Sequence, residues 1–155
     1  MHARTSAVRA FSLIELMLVV AIMGIIAAIA TPRYALAVDR YRADAAARRI
    51  VADIRWTHSR AIAVGGPRTL AFTSGKSAYS VAGESDPDHP AAAFAVDLST
   101  GPYAATVVST SFGASTGVAF NGFGICTAGG TVVIQSGSCK KTIQIDSVTG
   151  AATIR

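Results

Sequence analysis

The stretch Phe11–Ala30, FSLIELMLVVAIMGIIAAIA, decides the fold of this chain. Its twenty residues are almost wholly apolar and carry one charge, Glu15. At about 1.5 Å per residue they make a helix of roughly 30 Å, the thickness of a bilayer's hydrocarbon core. A carboxylate at the centre of such a span costs on the order of 2.5–3.5 kcal/mol on insertion scales. Glu15 therefore asks for a cationic partner, and the run itself holds none. A cut between Ala10 and Phe11 would create one. The new α-amino group of Phe11, with a reference pKa near 8, is cationic at neutral pH. It would lie four residues before Glu15 and recur on every neighbouring copy. A carboxylate and an amine from adjacent subunits neutralise each other where neither tolerates being alone, and their pairing fixes the axial register between subunits.

Three plainer readings compete. Ala28-Ile29-Ala30 is a fair A-x-A site for an ordinary secretory signal, although the apolar core is long for one and contains Glu15. The run also has the length of a single-pass anchor without any assembly role. A helix buried in a soluble core is the third.

The residues Ala10-Phe11-Ser12-Leu13-Ile14-Glu15-Leu16-Met17 resemble the class III signal of type IV pilins and type II secretion pseudopilins. In that family a prepilin peptidase removes a short basic leader and methylates the new N-terminal Phe, and the Glu guides assembly. The resemblance implies cleavage after Ala10, N-methylation of Phe11 and an assembly role for Glu15. Pro32 matches a proline that kinks or loosens the pilin helix just past the apolar segment. The family usually has Gly before the cut, where this chain has Ala10.

The chain has 155 residues and a formal charge of +5, unevenly divided. The leader, residues 1–10, holds Arg4 and Arg9. Residues 11–64 hold seven Arg against Glu15, Asp39, Asp44 and Asp53, whereas residues 65–155 balance five basic groups with five acidic ones. The excess charge describes a leader and a helix, which weakens any inference of nucleic-acid binding from charge. Arginines flank the span on both sides, so positive-inside counting does not orient it. Cys126 and Cys139 are the only cysteines and sit in one β-prone region. A disulfide between them would close a loop of about 14 residues, contribute roughly 3 kcal/mol on the chain-entropy model and imply an oxidising periplasm. Two unpaired buried thiols are the other reading. The disulfide reading places the head in the periplasm and the leader in the cytoplasm.

Past Pro32, the residues Tyr34, Val38, Tyr41, Ala45, Ile50, Ile54 and Ala61 recur at helical spacing with arginines between them. This predicts an amphipathic helix over 31–64, ended by Gly65-Gly66-Pro67. Its Arg-rich face reads as a solvated surface, or else as a contact for a subunit or an anionic partner. After Pro67 short β-prone runs alternate with turns. They are Arg68–Thr73, Lys76–Ala82, Ala93–Asp97, Ala104–Ser109, Val118–Phe120, Thr131–Gln135, Thr142–Asp146 and Ala151–Arg155, with hairpin turns at Ser74-Gly75 and Thr149-Gly150. The predicted class is α+β. A long N-terminal helix, membrane-spanning over 11–30 and amphipathic over 31–64, packs its second half on an antiparallel head of residues 65–155, either two small sheets or one meander.

The head narrows the resemblance. Arg60-Ala61-Ile62-Ala63 leading into Arg68–Phe72, the segment Gly117-Val118-Ala119-Phe120-Asn121-Gly122-Phe123-Gly124 and the stretch Ile143–Arg155 are similar to the GspH/FimT group of minor pilins. DNA-binding members of that group carry a basic C-terminal G-R-x-R motif. The equivalent here is Gly150-Ala151-Ala152-Thr153-Ile154-Arg155, in which only Arg155 remains as a candidate DNA contact.

No G-x-S-x-G, P-loop or H-E-x-x-H occurs. His58 reads as a helix-surface or packing residue, and Trp56 as packing. The loop Glu84-Ser85-Asp86-Pro87-Asp88-His89-Pro90 offers oxygen ligands without EF-hand spacing and reads as a solvated loop. The expectation is a structural subunit, not an enzyme, with no metal and no cofactor. The resemblance implies a minor pseudopilin of a type II secretion pseudopilus, anchored in the inner membrane by one pass. Its partners would be a prepilin peptidase, other pilins or pseudopilins of the filament, and the inner-membrane assembly platform. A FimT-like type IV minor pilin serving pilus assembly or DNA uptake is the alternative. A membrane-anchored periplasmic binding domain that never polymerises is another.

Overall fold

The computed structural model describes residues 11–155 apart from 88 and 116. Helix α1, Leu13–Val64, is followed by nine strands: β1 (Arg68–Phe72), β2 (Ala78–Ser85), β3 (Ala93–Asp97), β4 (Thr106–Ser111), β5 (Gly117–Phe120), β6 (Cys126–Ala128), β7 (Gly130–Ser136), β8 (Cys139–Ile145) and β9 (Ala152–Ile154). The class is α+β and pilin-like, as the sequence predicts. One compact unit ends at Ala35 and the other is Leu36–Arg155.

In the unit ending at Ala35 the chain is helical from Leu13 and continues through Pro32. Every large apolar side chain from Phe11 to Ile29 is exposed. Among the described residues none covers this surface, and lipid or other chains are what would bury it.

In the unit Leu36–Arg155 the strands form two antiparallel sheets, ordered β3-β2-β1-β5-β6 and β4-β7-β8-β9. Of the two arrangements the pattern allowed, the chain adopts the pair of sheets. They meet at the β1–β2 turn, where Gly75 N donates to Val107 O at 2.8 Å and Val107 N donates to Lys76 O at 3.1 Å. That exchange uses the Lys76 backbone, so β2 begins at Ala78 and not at Lys76. Strand β4 likewise begins at Thr106 and not at Ala104, because Ala104 has φ +40°, outside the extended region. Strand β6 is short and was not expected.

The core joins α1 to both sheets through Ile50, Ile54, Leu70, Val107, Val118, Phe120, Ile134 and Ile143. The buried helix face keeps the expected Ile50, Ile54 and Ala61 and differs at the other positions. It consists of Ala43, Ala46, Ala47, Ile50, Val51, Asp53, Ile54, Thr57 and Ala61, while Tyr34 and Tyr41 are exposed. Alanines at these positions let the sheets approach the helix closely, and a tyrosine ring would hold them apart. Trp56 does pack as expected, stacking on Phe94 with ring centroids 4.9 Å apart, and His58 meets Phe120 edge-on at 5.2 Å.

Candidate functional site

The site begins where the helix begins. Ser12 stands just before α1, and its Oγ accepts a hydrogen bond from Glu15 N at 3.2 Å while its carbonyl accepts from Leu16 N at 3.1 Å. Ser12 is thus an N-cap and Glu15 the third helical residue, the S-x-x-E spacing of a capping box. That signal stood in the sequence and was not read there. It gives Glu15 a local reason for its position, because the first turn carries the positive end of the helix dipole, which favours a carboxylate. Phe11 precedes this turn and is 76% exposed. Ala10, the other residue of the expected cleavage pair, lies outside the described residues. At Pro32 the helix lacks one backbone donor, and next to it Thr31 Oγ1 donates to Ala27 O at 2.8 Å. The arrangement is an apolar, unpartnered helix with a single carboxylate in its first turn. It can bury area and pair one charge.

The Arg-rich face is only partly the solvated surface expected. Arg60 Nε and Arg68 Nε donate to the two carboxylate oxygens of Glu84, at 2.8 and 2.6 Å. Glu84, expected in a solvated loop, is buried at the end of β2. Burial alone would raise its pKa, but the two guanidinium groups hold it below the usual carboxylate range. Arg49 Nε donates to Asp53 Oδ2 at 3.0 Å, and Tyr79 Oη donates to the same oxygen. Arg49–Asp53 is a local i,i+4 pair, whereas the Arg60, Arg68 and Tyr79 contacts link positions 16 to 26 residues apart, and no local pattern announces them. Among the described residues no group of three or more His, Cys, Asp or Glu could hold a metal ion.

The expected disulfide is overturned, because Cys126 and Cys139 are both free. Cys139 opens β8 opposite Ser136, with its Sγ 4.0 Å from Leu36 O. Cys126 opens β6 in the other sheet, opposite Phe120, beside Gly150. Gly150 lies beyond the far end of β8, and six residues of strand from Cys139 to Ile145 cover about 20 Å. A disulfide needs Cα atoms within about 7 Å. Burial pushes the Cys126 thiol up, and Asp146 adds to the shift. Arg155 closes the second sheet, exchanging backbone hydrogen bonds with Thr142 at 2.8 and 3.0 Å, and is exposed.

Two family models match the chain. The prokaryotic N-terminal methylation motif covers residues 5–31, and the type II transport protein GspH covers residues 46–150. Comparison with curated proteins and with solved structures gives no significant match.

Proposed function

We propose a function from a family: this chain belongs to that of the type II transport protein GspH, and we read it as a minor pseudopilin, a structural subunit of a secretion filament. The methylation motif and the single apolar helix make it a membrane-anchored, single-pass pilin-like chain. In our reading residues 1–10 are a leader removed by a prepilin peptidase, Phe11 is the methylated N-terminus, residues 11–30 cross the membrane or line the filament core, and residues 31–64 carry a periplasmic head of residues 65–155. Pro32 loosens the helix as the subunit leaves the membrane. The subunit binds other pseudopilins and the inner-membrane platform, and it catalyses nothing.

The observation that carries this reading is the uncovered apolar helix with Glu15 alone in its first turn. A membrane anchor gains no more than a first-turn cap from that charge, whereas a subunit also gains a partner for a neighbour's amine. The test is complementation with Glu15→Val at normal protein level. Cleavage, insertion and the head fold should persist while filament incorporation and secretion fall sharply. Undiminished secretion, with the native chain itself absent from filaments, would identify a non-polymerising anchor. Loss of DNA uptake with secretion intact would move the subunit to a FimT-like pilus.

A further inference from the structure

A pocket of about 480 Å³ opens between α1 and the start of β8. Arg40, Tyr41 and Asp44 line it from the helix, and Cys139, Lys140 and Lys141 from the strand. The one acid among its lining residues is already engaged. Asp44 Oδ2 accepts from Arg48 Nε at 2.7 Å, and Asp44 Oδ1 lies 3.8 Å from Lys141 Nζ. The other nearby acid, Asp39, has its carboxylate against Gly137 of the β7–β8 turn. Arg40 and Lys140 form no ion pair among the described residues. Over residues 39–48 and 140–141 five basic groups stand against two acidic ones, while residues 65–155 as a whole are balanced.

The position along the chain says what such a pocket meets. The apolar segment is 11–30, but in an unassembled subunit Glu15 is least costly at head-group level, and that placement shifts the crossing stretch by five residues to Leu16–Ala35. Arg33, near the end of that stretch, reaches the interface by snorkelling. Arg40 then follows the end of the span by five residues, about 7.5 Å in a helix and under about 18 Å in any conformation. The head-group layer on each side is about 5–7 Å thick, and Lys and Arg side chains extend toward it. Tyr34 and Tyr41, 74% and 70% exposed, are of the residue type enriched at that level.

We propose that this pocket is a phospholipid head-group site, in which Arg40, Lys140 and Lys141 hold the phosphate of an anionic lipid in the leaflet next to the head. The guanidinium supplies a two-pronged donor and the ammonium groups supply charge, the two modes by which phosphate is held. The inference rests on membrane anchoring alone, so it stands or falls separately from filament assembly.

The experiment reconstitutes the full chain into bilayers of phosphatidylcholine, with or without phosphatidylglycerol, each lipid carrying a photoreactive head group, and maps the cross-linked peptides. Phosphatidylglycerol should label the peptides holding Tyr41 or Lys140 and Lys141 at least about fivefold more than phosphatidylcholine, roughly the effect of one basic group near an anionic surface. Lys140→Gln with Lys141→Gln should abolish the difference at an unchanged melting temperature, and Arg40→Gln should reduce it independently. Equal labelling by both lipids, or undiminished labelling in the double variant, would overturn the proposal. So would no labelling by either lipid, which would give the pocket to a protein partner. Competition by inorganic phosphate would reassign it to a free anion and overturn the lipid reading.

Discussion

The hydroxyl of Tyr79 on β2 donates a hydrogen bond to the carboxylate of Asp53 on α1 inside the core, tying the first sheet to the helix. Both residues are buried, at 3% and 7% exposure. Burial pushes the Tyr79 phenol far up, and the neighbouring carboxylate pushes it further, so the hydroxyl keeps its proton and donates at neutral pH. Tyr79→Phe would leave Asp53 with Arg49 as its remaining side-chain donor. It should lower head stability by about 1–3 kcal/mol, read from the urea midpoint. An unchanged midpoint would mean the hydroxyl contributes nothing net.

Much of this fold was legible because its signals are local. The apolar run gave the helix, alternation gave eight of the strands, and Ser74-Gly75 and Thr149-Gly150 gave turns that the chain makes. Strand β6 escaped because its three residues, Cys126–Ala128, are too few to show alternation. Helical spacing locates Ile50, Ile54 and Ala61 on the buried helix face but not its remainder, where tight packing on a sheet selects alanines over Tyr34 and Tyr41. At the candidate site Glu15 was legible, since a lone charge in an apolar run needs no tertiary knowledge to be noticed. The Glu84 pairings, the Asp53–Tyr79 contact and the separation of Cys126 from Cys139 are set by which elements meet, which one-dimensional spacing does not encode.

The stability of the head should fall on acidification, and Glu84 supplies part of the reason. Its folded pKa lies below the ordinary value, so its contribution is complete above that value, about 4.3. It is lost as pH falls through the lower folded value. Melting temperature measured from neutral pH downward should drop below about pH 4.5, and Glu84→Gln should flatten part of that drop. The remaining slope comes from exposed carboxylates such as Asp97 and Asp146, whose pKa values backbone hydrogen bonds also depress. An identical slope in the variant would remove Glu84 from the account.

The turn after β5 sits directly on the end of α1. A Cβ at Gly122 would come 2.5 Å from the carbonyl carbon and oxygen of Gly65, backbone atoms that cannot step aside. Asn121 fixes the same turn, its Oδ1 accepting from Phe123 N at 3.0 Å and Ile125 N at 2.9 Å. Gly122→Ala should therefore destabilise the head by about 1–3 kcal/mol, the range for overpacking. A neutral result in thermal unfolding would show that the turn can lift off the helix.

The two thiols should behave as separate groups. Cys139 is partly exposed and Cys126 buried, so a maleimide should label Cys139 first in native protein without prior reduction. Cys139→Ser should change stability by no more than about 0.5 kcal/mol, as for a surface substitution that breaks no cross-link. A mass two protons light on the untreated chain, with both cysteines resistant to alkylation, would contradict this placement.

Processing is the prediction on which the functional reading leans hardest. In the proposed reading residues 1–10 are a basic leader cut after Ala10, and the methylation motif that covers residues 5–31 supports it. Without that cut Phe11 has no free amine, and Glu15 stays an uncompensated carboxylate in an apolar helix. N-terminal mass analysis of membrane-extracted protein should find Phe11 first, carrying one added methyl group. Ala10→Gly should be processed at least as fast, since Gly is the usual residue before this cut. A mature N-terminus at Thr31 would instead mean that an ordinary signal peptidase had used Ala28-Ile29-Ala30. That chain would lose Glu15 and its whole apolar segment together, and with them any route into a filament.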